Sequence, residues 1–137
     1  MLKNLRNRLN ETKGFSLVEL IVVIAIMVIL IAMLVPNVVG YINKATLSTE
    51  KQAASTLFSA AQTYATDAYS KYRDFDAGTI TVEMLAEEQL ISENDAAKFS
   101  DAAFTADTNT PSAVAYVTVP STVQTDPIIY PEGADQA

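Results

Sequence analysis

The sequence predicts an α+β fold in which a long N-terminal α-helix packs against a small antiparallel β-sheet head. An apolar run of membrane length lies near the N-terminus, an alanine-rich stretch without glycine or proline follows it, and short alternating segments occupy the last third. We expect a basic segment at 1–14, an apolar helix at 15–40, its outer half at 41–73 and a globular head at 74–137.

Charge is divided unevenly along the 137 residues, whose formal net charge is −7. Residues 1–14 carry four basic side chains and one acidic one, whereas residues 15–137 carry five basic and fifteen acidic ones. This division predicts a cytoplasmic N-terminus and an exported body. Nucleic acid is not expected as the default partner of an acidic body, because binding a polyanion needs local positive charge.

The chain contains neither cysteine nor histidine. The two commonest ligands of transition metals are therefore absent, and so are the mechanisms that depend on them. Acidic pairs such as Asp74 with Asp76 or Glu87 with Glu88 have no partner residues for acid–base chemistry, so we interpret them as surface charge. We expect a structural protein that is not an enzyme and has no cofactor.

The apolar run extends from Phe15 to Val35, and only Ser16 and Glu19 within it are polar. As a helix it would span roughly 30 Å, the thickness of a bilayer core. A cleaved secretory signal peptide and a permanent signal anchor are two possible interpretations. Neither accounts for Glu19, because a carboxylate in lipid costs several kcal/mol unless it is paired or neutralised.

The stretch KGFSLVE, residues 13–19, resembles the processing and assembly signature of type IV pilins and their pseudopilin relatives. The resemblance implies that a prepilin peptidase cuts between Gly14 and Phe15, which removes residues 1–14 as a leader, and that Phe15 is then N-methylated. It also implies that Glu19 pairs with the N-terminal amine of a neighbouring subunit. A buried amine and a buried carboxylate each lower the other's cost, so Glu19 would set the register of a filament.

The function implied by this resemblance is that of a structural subunit of a type IV pilus, an appendage for adhesion and twitching motility. Its partners would be further copies of the chain, the prepilin peptidase and, indirectly, an assembly platform with cytoplasmic motor ATPases. The chain would cross the cytoplasmic membrane once and then move to the cell surface. A pseudopilin of type II secretion and a competence pilin are alternatives within the family, and a signal-anchored extracellular binding module is the alternative from another class.

Pro36 and Gly40 interrupt the helical pattern. Proline has no amide hydrogen and clashes with the carbonyl four residues back, and glycine weakens a helix further. We expect a kink or an extensible segment at 28–40, as in the family that the chain resembles. The alternative is that Pro36 simply ends the membrane helix.

Two neighbouring apolar stripes follow helical spacing within residues 41–73. We expect one stripe to face the chain's own sheet and the other a neighbour's helix. The first stripe contains Ala53, Leu57, Ala60, Tyr64 and Ala68, and the second contains Ala54, Phe58, Ala61, Ala65, Tyr69 and Tyr72.

The head begins where RDFDAGTI, residues 73–80, stops the helix. We expect a short helix capped by Thr81 and another helical turn that Ser92 starts with Asp95. Strands are predicted within 99–106, over 112–120 and, at an edge, within 126–131.

Residues 131–137 are expected to fray. A calcium site at Asp126, Glu132 and Asp135 is an alternative to a solvated acidic tail.

Overall fold

The computed structural model describes residues 14–134. Its elements are, in chain order, α1 (Leu17–Lys71), a 3₁₀ turn (Ala77–Thr79), α2 (Val82–Glu87), α3 (Glu93–Lys98), β1 (Ala103–Ala106), β2 (Val114–Val119) and β3 (Ile128–Tyr130). This confirms the predicted α+β fold. The chain divides into two compact units between Tyr41 and Ile42. Except for Gly14, the predicted leader lies outside the described residues.

The first unit is helical from Leu17 onward, and each residue from 14 to 41 is exposed. Pro36 lies inside α1, which continues to Lys71. The alternative that Pro36 ends the helix is therefore wrong. The kink at 28–40 stays a prediction.

In the second unit, α1 buries one face against the sheet and its connections. Small side chains dominate this face and let the backbones approach closely. Both predicted stripes contribute to it, so the expectation that only one stripe would face the chain's own head is wrong. Tyr69 and Tyr72 of the second stripe stay exposed, and their contact with a neighbour's helix stays a prediction. The stripes are adjacent, and the head is wide enough to cover both. The buried apolar residues are Ala54, Leu57, Ala60, Ala61, Ala65 and Ala68.

Outside the buried face, α1 carries a row of exposed hydroxyl side chains, three of which line the clefts beside the head. Each of these hydroxyls donates a hydrogen bond to the carbonyl four residues earlier, at 2.8–3.1 Å. Such bonds are a normal way for serine and threonine to sit within a helix. The hydroxyl row consists of Thr49, Thr56, Ser59, Thr63 and Thr66.

The sheet is antiparallel, with the strand order β1-β2-β3. Its central strand buries Val114, Val117 and Val119, a spacing of three and then two. Thr105 pairs with Tyr116 and Ala106 with Val114, so Ala115 is a bulge residue. The bulge interrupts the strict alternation predicted over this strand and turns Val114 to the buried face.

The other strands are close to their predictions. β1 is confined to Ala103–Ala106, because the start of the predicted strand is used to end α3, where the Ala102 amide bonds the Phe99 carbonyl at 2.9 Å. β3 lies at an edge of the sheet, as predicted.

Both predicted helix caps are confirmed. The Thr81 hydroxyl accepts a hydrogen bond from the Met84 amide, and the Ser92 hydroxyl accepts one from the Asp95 amide. After β3 the chain turns, and the Ala134 amide donates a hydrogen bond to the Pro131 carbonyl at 3.2 Å. The expected fraying stays a prediction, and residues 135–137 lie outside the described residues.

Candidate functional site

The peptide bond between Gly14 and Phe15 lies before the first helical residue. Ser16 caps α1, because its hydroxyl accepts a hydrogen bond from the Glu19 amide and its carbonyl accepts one from the Leu20 amide, both at 3.1 Å. Gly14 is exposed, and Phe15 is 87% exposed. The bond is therefore outside the helix and open to solvent, as a protease requires.

Gly14 has no role that the described chain explains. A Cβ added there would meet no described atom within 4 Å, and its φ is not in the left-handed region. Neither space nor backbone conformation calls for a glycine here. A requirement for glycine would have to come from a partner that approaches the backbone closely.

Glu19 lies in the first turn of α1 and is exposed. A negative charge is favourable there, because the first amides of a helix carry partial positive charge. Within residues 14–134 its carboxylate has neither a cation within 4 Å nor a hydrogen-bond donor. The structure thus brings Gly14, Phe15 and Glu19 to the same end of α1 without pairing Glu19 inside the described monomer.

A continuous apolar surface follows this end of the helix. Between Leu17 and Ile42 the large apolar side chains are 48–74% exposed. Of the residues described, α1 is the one helix long and apolar enough to cross a membrane, and its most apolar 18-residue window has a mean hydropathy of 3.3. This surface far exceeds the apolar patches of soluble monomers and needs lipid or other helices around it.

The two predicted kink residues lie within this apolar part of α1. Pro36 leaves the Ala32 carbonyl without its helical donor, and a Cβ at Gly40 would meet no described atom within 4 Å. No packing contact calls for a glycine at position 40. Both residues weaken the helix, but their effect on its direction stays a prediction.

Sequence reasoning missed Glu50. It is 2% exposed and is the one buried charged side chain among residues 14–134. Burial alone would raise its pKa, but hydrogen bonds from the Thr122 hydroxyl and amide and the Ser121 hydroxyl, together with the positive charge of Lys98, bring the pKa below its ordinary value. Helical spacing from Ala54 and Leu57 places Glu50 on the buried face, but nothing local in the sequence predicts the Ser121 and Thr122 donors that allow a carboxylate to be buried there.

The acidic side chains of the described residues do not gather into a metal-binding group. Within 14–134 no three carboxylates lie close enough to hold a metal ion. Of the alternative calcium ligands, Glu132 pairs with Lys51, and Asp135 lies outside the described residues. Two open clefts of about 200 and 350 Å³ lie beside α1, and neither is lined by the acidic pairs at 74–76 and 87–88.

These features define a protein with a membrane-length N-terminal helix that is preceded by a short, exposed, non-helical segment. Residues 9–35 match the family model described as the prokaryotic N-terminal methylation motif. The match includes Gly14, Phe15 and Glu19 and, with the long helix, supports a type IV pilin-like prepilin, a structural precursor that prepilin peptidase processes. Neither the curated proteins nor the solved structures include a significant match to the chain.

Proposed function

We propose that this chain is a structural subunit that polymerises into a type IV pilus after cleavage between Gly14 and Phe15. The observation that carries the proposal is the exposed apolar surface of α1, which begins directly after an exposed Gly-Phe bond and has one carboxylate in its first turn. Phe15 would be N-methylated after cleavage. The apolar helices would then bundle in the filament core, with the acidic heads outside.

Polymerisation would transfer the apolar part of α1 from lipid to other helices. The hydrophobic cost of leaving the bilayer would be offset by burial among neighbouring copies. Glu19 would be unpaired before assembly and would meet the amine of Phe15 on a neighbour afterwards. Its several-kcal/mol cost in lipid would then favour the register in which this pairing occurs.

The first experiment is the intact mass of the protein in material sheared from cells and in the membrane fraction. We expect a species that begins at methylated Phe15 and is abundant in the sheared fraction. The same mature species confined to membranes would favour a pseudopilin or a minor subunit. A chain that keeps residues 1–14 would overturn the proposal in favour of an anchored binding module.

Replacement of Gly14 tests the cleavage site. We expect Gly14→Val to retain the leader in nearly all molecules, because a branched side chain would block close approach to the backbone. Gly40→Ala is the matched control, since neither glycine is needed for space in the described structure. Electrophoretic mobility and intact mass measure processing. Cleavage of Gly14→Val at the normal rate would contradict the assignment.

Replacement of Glu19 tests the role in register. We expect Glu19→Gln to be processed but to lower the sheared filament yield about tenfold or more, since breaking a buried charge pair costs about 3–5 kcal/mol. Glu83→Gln is the matched control, because Glu83 is also an exposed first-turn glutamate. Filament yield relative to mature protein in membranes measures assembly. Equal yields for the two variants would refute the pairing.

A further inference from the structure

The carboxylate of Glu50 holds the loop that follows β2. Ser121 donates its hydroxyl to Oε2 at 2.7 Å, and the Thr122 amide donates to Oε1 at 2.9 Å. The Thr122 hydroxyl also donates to Oε1. One buried side chain of α1 therefore accepts three hydrogen bonds from two consecutive loop residues.

The same contacts organise the turn itself. The Ser121 hydroxyl, while donating to Glu50, accepts hydrogen bonds from the Val123 and Gln124 amides at 3.3 Å each. Within residues 14–134 no cation lies within 4 Å of the Glu50 carboxylate. Its charge is compensated mainly by these loop donors, so the loop and the carboxylate depend on each other.

The next residue of α1 holds the other end of the same segment. The Lys51 Nζ lies 2.7 Å from Glu132 Oε1. Earlier in the segment, the ring of Tyr130 packs edge-on against that of Phe58, with 5.5 Å between the ring centroids. β3 has three residues and pairs with β2 along one side. So short an edge strand gains little stability from its own ladder. It depends mainly on the Glu50 contacts before it and on the Tyr130–Phe58 packing, because the Lys51–Glu132 pair is exposed and contributes little.

We propose that residues 121–132 form a clasp that closes on α1 only while Glu50 is ionised. A protonated Glu50 would present a hydroxyl donor to a site that already contains three donors. At least one donor would then lose its acceptor inside a partly buried site. The loop and β3 would open as one local unit, while the packing of α1 on β1 and β2 remained.

The sign of the pH dependence follows from the groups around the carboxylate. Its pKa in the folded chain lies below the ordinary value, so closure is complete above the ordinary glutamate pKa and is lost as the pH falls through the lowered value. Lys98 is the charged group from α3 that favours ionisation. Glu132 titrates in the same direction, because the hydrogen bond and charge of Lys51 lower its pKa.

The test is amide hydrogen exchange of the full chain in detergent micelles, expressed as protection factors, which correct for the intrinsic pH dependence of exchange. At pH 6 we expect Glu50→Gln to lower protection across 121–130 about tenfold or more, with no change in the buried part of α1. Ser121→Ala removes one hydrogen-bond donor and leaves the charge of Glu50. It should lower protection across 121–130 by a smaller factor. Glu132→Gln is the matched control and should change protection less than threefold or so, because its ion pair is exposed.

Measurements at lower pH distinguish the role of Glu50 from that of Glu132. The natural chain and Glu132→Gln should both lose protection over 121–130 below the ordinary glutamate pKa, whereas Glu50→Gln should show low protection at every pH. The clasp proposal would be overturned if Glu50→Gln and Ser121→Ala lowered protection factors uniformly across the head, or if neither variant lowered them. None of these outcomes depends on filament assembly, so failure here and failure of the proposed function are distinguishable.

Discussion

Gln89 has a backbone φ of 58°, in the left-handed region that favours glycine. It ends α2 in a Schellman arrangement, because the Leu90 amide bonds the Leu85 carbonyl at 2.9 Å and the Gln89 amide bonds the Ala86 carbonyl at 3.0 Å. The connection to α3 needs this turn. A side chain with a Cβ is therefore held in a strained conformation.

We expect Gln89→Gly to raise the free energy of unfolding of the head by about 1 kcal/mol, because glycine adopts this conformation without strain. Denaturant unfolding of the full chain in detergent, followed by circular dichroism, measures the change. Glu88→Gly is the control, since Glu88 has an ordinary φ of −82°. It should lower stability by about 0.5–1 kcal/mol. A loss of stability in Gln89→Gly would show that the position is not strained.

Glu19 and Glu50 show why one carboxylate of α1 was found from the sequence and the other was not. Glu19 interrupts a run that is otherwise apolar, so its cost in lipid is visible without a structure. Glu50 lies among polar residues, where a glutamate is ordinarily solvated. Its burial depends on Ser121 and Thr122, about seventy residues later, and no local pattern brings that loop to the helix.

At the level of elements, local chemistry predicted where helices start better than which faces they bury. The caps at Thr81 and Ser92 were predictable because a side chain and an amide three residues on are enough to form them. The shared buried face of α1 was not, because it depends on the width of the head that covers it. The bulge at Ala115 was not predictable either, since it arises from the pairing of β2 with β1.

The N-terminal part of α1 agrees with the sequence prediction and bears directly on the proposed function. The apolar run predicted a membrane-length helix, and that run is exposed throughout and helical from Leu17 onward. Periodicity could not place the first helical residue, which depends on the Ser16 cap. That cap leaves the Gly14–Phe15 bond outside α1, and the proposed processing depends on this placement.

In the head as a whole, stability rests on a small core between α1 and the sheet. Leu57 is 2% exposed and is among the largest fully buried side chains, within a cluster that includes Phe104, Val117 and Ile128. Most of its neighbours on α1 are alanines, which contribute little apolar area each. The head therefore depends heavily on a few large side chains.

We expect Leu57→Ala to lower the free energy of unfolding of the head by about 2–5 kcal/mol, because it leaves a cavity in this core. Thr63→Ala is the control on the same helix and should change stability by no more than about 0.5 kcal/mol, since Thr63 is exposed. Denaturant unfolding of both full chains under the same conditions measures the difference. Equal stabilities would mean that the head does not fold around α1.

The hydroxyl row on α1 has a consequence for hydration. Thr49, Thr56, Ser59, Thr63 and Thr66 are exposed, yet each hydroxyl proton is already engaged by a carbonyl of its own helix. Removing water from them would leave none of these five protons without an acceptor. Removing water from these five side chains would therefore cost less than it would for hydroxyls whose protons bond to water.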